Sequence, residues 1–204
     1  MIRHSIGENG LWTVILDRPE KANALTESML AQLCEITQEA QSARGLILTG
    51  NGRVFSAGAD LDAAKAGLAV SPLWEQLSAA IAALPCLTVA ALNGTVAGGA
   101  NGMALACDLR IAVASTKVFY PVMKLGYRPQ PSDVKRMSAL IGPARTKLIL
   151  AAGQKLTADE ALAFGMIDRI VLDEQLLPTA QALLSDYQAA DPEVAMAILA
   201  DCRV

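Results

Sequence analysis

"VAGGANGMALACDLRIA", Val96 to Ala112, passes through two glycines, an alanine, an asparagine and a third glycine before it reaches an apolar stretch of helical character. Small residues where a helix begins serve one of two ends. They give the chain freedom to turn, or they let another group come right up to the N–H donors of the helix start. A second junction of the same kind, "NGRVFSAGADLDAA" (51–64), follows the apolar run "GLILTG" (45–50), just as the first follows "LTVAALNG" (87–94). "LWTVILD" (11–17) reads as a further strand, and "NALTESMLAQLCEITQEAQ" (23–41) carries Met29, Leu30, Leu33 and Ile36 at helical spacing. Strand, helix, strand, helix, strand predicts an α/β protein with parallel pairing and crossover connections. Where the strands before the two junctions are neighbours, both junctions lie at one sheet end, and two N–H groups can converge on one oxygen. Tight packing of helix on strand is the competing explanation for the same small residues.

Further along, "DLRIAVAS" (108–115) and "KVFYP" (117–121) add strands, and "SDVKRMSALIG" (132–142), "GPARTKLILAAG" (142–153) and "LTADEALAFGM" (156–166) read as helices. Ser132 with Asp133 offers a start to the first of these, and Thr157 with Glu160 offers a capping box to the third. "DRIVL" (168–172) returns as a strand, followed by helices in "LLPTAQALLSDYQAA" (176–190) and "PEVAMAILA" (192–200). The expected organisation is one domain over 1–204, with a core in 1–140 and a helical C-terminal part in 141–204.

Composition narrows the function. The 204 residues are 53% hydrophobic, enough for one sizeable core. A net charge of -3 from 17 basic and 20 acidic residues, without blocks, supplies no basic stripe for nucleic acid and no cationic face for lipid. The uncharged run from Gln76 to Cys107 is long enough to span a bilayer. Pro85, Asn93-Gly94, Gly98-Gly99 and Asn101 would leave polar groups unpaired there, so no membrane span is expected. "MIRHSIGENG" lacks the apolar core and cleavage site of a secretory leader, which predicts a cytoplasmic location. Cys34, Cys86, Cys107 and Cys202 are widely spaced and His4 is the one histidine, a pattern that supplies neither a metal site nor a disulfide framework. His4 is expected in a frayed terminus, out of reach of a nucleophile.

"LDRPEKANALT", "GNGRVFSAGADL", "VAALNGTVAGGANGMALACDLRIA", "LGYRP" and "LTADEALAFGMIDRIV" resemble, in order and approximate spacing, the crotonase superfamily, the enoyl-CoA hydratase/isomerase family. The resemblance covers nearly the whole chain. It implies a crotonase-like fold of repeated ββα turns and an acyl-CoA thioester substrate, coenzyme A entering as part of that substrate and not as a separate cofactor. It further implies a thioester enolate held by two backbone N–H groups, which fall on Ala59 and Gly99. For the coenzyme A portion it points to Lys21, Ala22 and Ala24 in "RPEKANAL", and to Ala57, Gly58, Asp60 and Leu61 in "SAGADL". Members carry a further helical tail beyond the region matching "PEVAMAILADCRV", used in trimer packing. A trimer or hexamer of identical chains is thus implied, with that tail missing here.

Two positions depart from the pattern. Hydratases of the family place one glutamate three residues after the second donor glycine and another directly after the proline of "PE...LG". Here Gly102 and Val122 stand in those places, and neither can activate water or deliver a proton. An acyl-CoA isomerase, decarboxylase, hydrolase or atypical hydratase is expected, with a catalytically silent fold that binds acyl-CoA or a protein partner as the alternative. Asp133 and Tyr127, in "LGYRPQPSD", are the candidate acid/base groups. Asp133 is a base if burial raises its pKa, or a helix cap; Tyr127 donates a proton, or packs at a pocket wall. Asn101 orients a water or carboxylate, or satisfies a turn. Asp60 has a ready structural role at a helix start. Arg128 and Lys124 either bind an acidic acyl group or lie on solvated surface, and Trp74 and Met103 line the core or the pocket.

Overall fold

The computed structural model describes residues 1–203, in which three turns of chain repeat one pattern of strand, short strand and helix. An antiparallel pair comes first, β1 (Ile2–Ile6) with β2 (Leu11–Leu16), followed by α1 (Glu27–Glu39). The repeats are β3 (Gly45–Gly50), β4 (Val54–Ser56), α2 (Leu61–Lys65) and α3 (Leu73–Ala82), and then β5 (Thr88–Leu92), β6 (Thr95–Ala97) and α4 (Ala100–Ala106). The third is β7 (Leu109–Val113), β8 (Lys117–Phe119), α5 (Val122–Leu125) and α6 (Pro131–Leu150). The chain closes with β9 (Leu156–Thr157), α7 (Ala158–Phe164), β10 (Arg169–Val171), α8 (Leu176–Ala189) and α9 (Pro192–Cys202).

The long strands form one sheet in the order β1-β2-β3-β5-β7-β10, parallel from β2 onward. The short strands form a second sheet, β4-β6-β8-β9, parallel except at β9. β3 and β5 are buried along nearly their whole length and mostly apolar because both faces of the large sheet are covered. On one face α8 packs Leu176, Ala180 and Leu184 against Ile47, Val89 and Ile111. On the other, Leu30, Leu33, Leu77, Ile81 and Met103 of α1, α3 and α4 meet Leu46, Leu48, Ala90 and Phe55. Thr26 caps α1 by accepting from the Met29 N–H at 3.3 Å, and Thr157 with Glu160 forms the predicted capping box of α7.

The structure corrects four expectations. The amino terminus is not frayed: Ile2–Ile6 is a paired edge strand, His4 stacks on Trp12 at 5.5 Å, and Arg3 meets Asp17 at 2.6 Å. The junctions do not pass straight from strand to helix, since β4 and β6 intervene, each three residues long. The two helices expected on either side of Gly142 are joined end to end there, the break being its φ of +77°. In residues 141–203 the strand expected in 168–172 is present as β10, whereas Leu156–Thr157, expected to be helical, forms β9 and adds a strand to the small sheet. Among the described residues no helix is long and apolar enough to cross a membrane, no cluster of ligand side chains can hold a metal, and the four cysteines are free thiols.

The crossing from the large sheet to the small one is tightest at Gly94, between β5 and β6. Its φ is +154°, and a Cβ there would lie 2.0 Å from the Arg53 carbonyl oxygen. Gly94→Ala is therefore expected to lower the unfolding free energy by at least ~2 kcal/mol, because one chain must move off the other. Urea unfolding measures this, and a variant as stable as the parent would contradict the close approach.

Candidate active site

β4 and β6 lie side by side in parallel, with Ser56 opposite Val96, so both strands release the chain into turns at the same sheet end. The turns touch. Gly58 (φ +88°) and Gly98 (φ +55°) take left-handed conformations, and a Cβ on Gly58 would stand 2.8 Å from the Ala97 carbonyl oxygen and 3.4 Å from the Gly98 Cα. Beyond Gly58 the chain pairs with Leu25, whose N–H donates to the Gly58 carbonyl at 2.8 Å and whose carbonyl accepts from the Asp60 N–H at 2.8 Å. Alternation along extended backbone turns the Ala59 N–H to the opposite side. Gly99 precedes α4, where the first N–H groups of a helix have no partner within it. Among the described residues no acceptor takes the N–H of Ala59 or of Gly99, and both residues line one cavity of about 390 Å³. The Trp74 ring lies against Gly99, 2.9 Å from where its Cβ would be, and is fixed by donation from Nε1 to the Leu68 carbonyl at 2.8 Å.

Buried polar ties hold the two turns in place. Asn23, itself left-handed (φ 52°) and fully buried, accepts from the Arg18 N–H at 2.8 Å and donates to the carbonyls of Asn51 at 2.9 Å and Val54 at 2.7 Å. The Ala22 carbonyl accepts from the Ala57 N–H at 3.0 Å. Arg18 donates to the Ala24 carbonyl at 3.1 Å and to the Asp60 carboxylate at 2.8 Å. Asp60 also accepts from the Asp62 and Ala63 N–H groups as the cap of α2. The Arg18 hydrogen bond, followed by those backbone donors, holds its carboxyl below the usual range. Of the residues assigned to coenzyme A, Ala57 and Leu61 line the cavity, whereas Lys21, Ala22, Ala24, Gly58 and Asp60 lie outside its lining. Asn101 is fully buried and donates to the carbonyls of Gly98 at 2.8 Å and Phe119 at 3.0 Å, so its amide satisfies the second turn.

The opposite wall comes from β8 to the start of α6 and includes Tyr120, Val122, Tyr127 and Arg128. Lys124 is not part of the lining, and Met103 is core. Asp133 does not cap its helix. Gln130 precedes α6, with Pro131 in the first turn, and Ser132 turns its hydroxyl to Glu75 at 2.9 Å. Asp133 points inward, 1% exposed, where one carboxylate oxygen accepts from the Tyr120 hydroxyl at 2.9 Å and the other has no partner. Burial pushes its pKa up to about 6, the Tyr120 hydrogen bond opposes the rise, Glu75 adds to it and Arg136 lowers it. Burial likewise raises the Tyr120 phenol well above its ordinary value. A Cβ on Gly102 would fall 2.6 Å from the unpartnered Asp133 oxygen, so the glycine makes the room that this carboxylate fills. Asp133 is outside the cavity lining, and Tyr120 stands between it and the cavity. Sequence inspection missed Tyr120; its only signal was an aromatic residue at the end of "KVFYP".

Residues 7–201 match the profile of the family described as enoyl-CoA hydratase/isomerase. The chain belongs to this family. Within the enoyl-CoA hydratase/isomerase family it is similar to the 1,2-epoxyphenylacetyl-CoA isomerase of Escherichia coli (strain K12), 33% identical over 204 residues that cover 94% of this chain and 78% of that one. The ethylmalonyl-CoA decarboxylase of Bos taurus is 30% identical over 202 residues, covering 93% and 66%. The crystal structure of an enoyl-CoA hydratase from Bacillus anthracis superposes with a TM-score of 0.88 at 28% identity, over 96% of this chain and 79% of that one. The fold is therefore crotonase-like, and its ββα repeats are those of the family.

Two measurements test the Asp133 environment. A carboxyl whose pKa is raised on folding penalises the folded state once ionised, so stability falls as pH climbs from about 4 towards 6 and stays reduced above that. Asp133→Asn is expected to raise the unfolding free energy by ~2 kcal/mol at about pH 8 and by little at about pH 3. Equal effects at both pH values would contradict the burial. In a double-mutant cycle, Gly102→Ala and Asp133→Ala should couple by ~1–3 kcal/mol, the second relieving the clash made by the first. Additive losses would show that the two residues do not share the space.

Proposed function

We propose that this protein binds acyl-CoA thioesters and stabilises the thioester enolate through the N–H groups of Ala59 and Gly99. The observation that carries the proposal is the pair of unclaimed backbone donors on one largely apolar cavity. A water-poor surrounding strengthens such donors towards developing negative charge, and fixed backbone dipoles need no reorganisation as the charge appears. Coenzyme A arrives as part of the substrate. Its pantetheine runs past Ala57 and Leu61, while the segment Lys21 to Ala24 and Asp60 hold that edge in shape. Exposed Leu61, Met123 and Leu125 around the site favour a homo-oligomer in which a second copy covers them.

The reaction is not ordinary hydration. Gly102 has no side chain, and Val122 offers the cavity an apolar wall, so neither position activates water or protonates the α carbon. The isomerase and the decarboxylase among the relatives are named for acyl-CoA substrates, which suits chemistry at a thioester enolate without added water.

Calorimetry with acetyl-CoA and crotonyl-CoA is expected to show binding, because main-chain donors persist whatever the surrounding side chains. Hydration of crotonyl-CoA, followed by loss of enoyl thioester absorbance, should run at least ~10⁴-fold below a competent hydratase, as two acid/base groups are missing. Absence of binding for several acyl-CoAs at millimolar concentration would refute the thioester site. A normal hydration rate would refute the exclusion of hydratase chemistry.

A further inference from the structure

We propose that Tyr120 and Asp133 form a proton relay in which Tyr120 takes a proton from the acyl chain next to the thioester and passes its own to Asp133. The inference rests on the thioester reading of the cavity and adds to it the reacting side chain. Three observations meet here. Tyr120 lines the same cavity as Ala59 and Gly99. Its hydroxyl donates to Asp133 at 2.9 Å, and the Gln130 backbone N–H also acts on the phenolic oxygen, which leaves one lone pair to accept a proton. The receiving carboxylate is 1% exposed, and its second oxygen has no partner, so nothing but Tyr120 and the surrounding charges compensates its burial. A buried carboxylate satisfied on one oxygen alone is a costly feature; Asn101 Oδ1 and Gln188 Nε2 also lack a partner, but those belong to neutral amides.

The step balances within the site. The C–H bond α to the thioester carbonyl breaks, and its electron pair moves into the enolate, whose oxygen rests on the Ala59 and Gly99 N–H groups. The proton goes to Tyr120 Oη as the original Tyr120 proton transfers to Asp133 Oδ2. Tyrosine ends neutral, which its raised pKa requires, and the charge moves from the carboxylate to the held enolate. Reversal returns the proton to the α carbon or, in a β,γ-unsaturated chain, delivers it to the γ carbon. The outcome is a 1,3-proton shift that consumes no water and needs no co-reactant. Tyr120 is thus the catalytic residue, and Asp133 is a positioning residue that holds the proton through it. The charged and titratable groups around Asp133 are Tyr120 from the segment after β8, Glu75 from α3 and Arg136 from α6. Arg136 is itself turned to the Ser78 hydroxyl.

The test uses trans-3-hexenoyl-CoA in D₂O, with conjugated enoyl absorbance and deuterium uptake by mass spectrometry as readouts and calorimetry for binding. The parent should exchange and isomerise this probe. Tyr120→Phe and Asp133→Asn should each lower turnover by ~10²-fold or more while binding stays within about threefold. The parent rate should fall as pH drops through about 6, where Asp133 takes a proton, and Asp133→Asn should lose that limb. Circular dichroism and thermal unfolding confirm that each variant is folded, and Tyr120→Phe keeps the test open if Asp133→Asn is not. Binding without exchange in the parent overturns the relay alone, as does full turnover in either folded variant. Equal losses of affinity and turnover also overturn it, marking the pair as pocket-shaping. No binding by the parent overturns the thioester reading, and the relay with it.

Discussion

The site depends on two backbone turns that approach closely because Gly58 has no side chain at the contact. Gly58 and Gly98 are both left-handed, and the distance of 2.8 Å from a hypothetical Gly58 Cβ to the Ala97 carbonyl leaves no alternative residue there. Parallel pairing of β4 with β6 sets the turns side by side, and the sheet crossings before them set the height at which each strand starts. Everything nearby maintains this contact. Asn23 pins the first turn to the β3–β4 connection, Asn101 pins the second to β8, and Trp74 presses flat on Gly99. Two N–H groups are left over as a consequence of topology, and no side chain had to be recruited to make them.

The surrounding carboxylates separate into a paired structural case and a buried, half-satisfied one. Asp60 is next to a donor turn, but its oxygens belong to Arg18 and to the start of α2, which uses its charge for scaffolding. Asp133 has the reverse character. It is buried, half satisfied and held at a raised pKa by desolvation, so the fold tolerates the burial of an ionisable group there. Such an imbalance next to a cavity is what a proton-handling group requires, since a carboxylate with every lone pair satisfied is a weaker base.

Much of this was legible in the sequence, and the failures have physical causes. β2, β3, β5 and β7 could be read because burial on both faces writes long apolar runs, and α7 because a capping box has a fixed spacing. β4 and β6 are three residues each, too short for any periodicity, and β1 is an edge strand whose side chains are exposed apart from Ile2. The proposed donors Ala59 and Gly99 follow from the resemblance to the family, because the small residues at the two strand ends fit close packing of helix on strand equally well. Asp133 looked like a helix cap because a local rule, an acidic residue near a helix start, competes with a tertiary contact that no local pattern encodes. Tyr120 was invisible for the same reason: its partner is thirteen residues away, across a turn and a short helix.

The pairing of Gly102 with Asp133 carries a more general point about where a functional group resides. A side chain missing from α4 opens a space, and a carboxylate from α6 enters it, its oxygen 2.6 Å from where the Gly102 Cβ would be. The chemistry available in that space is then set by the element that fills it. Asp133 is outside the cavity lining and is joined to it through the Tyr120 hydroxyl. In the proposed relay this interposed phenol lets protons pass while an apolar wall at Val122 gives water no activating group on the other side. In that proposal the Ala59 and Gly99 N–H groups serve proton migration within the acyl chain.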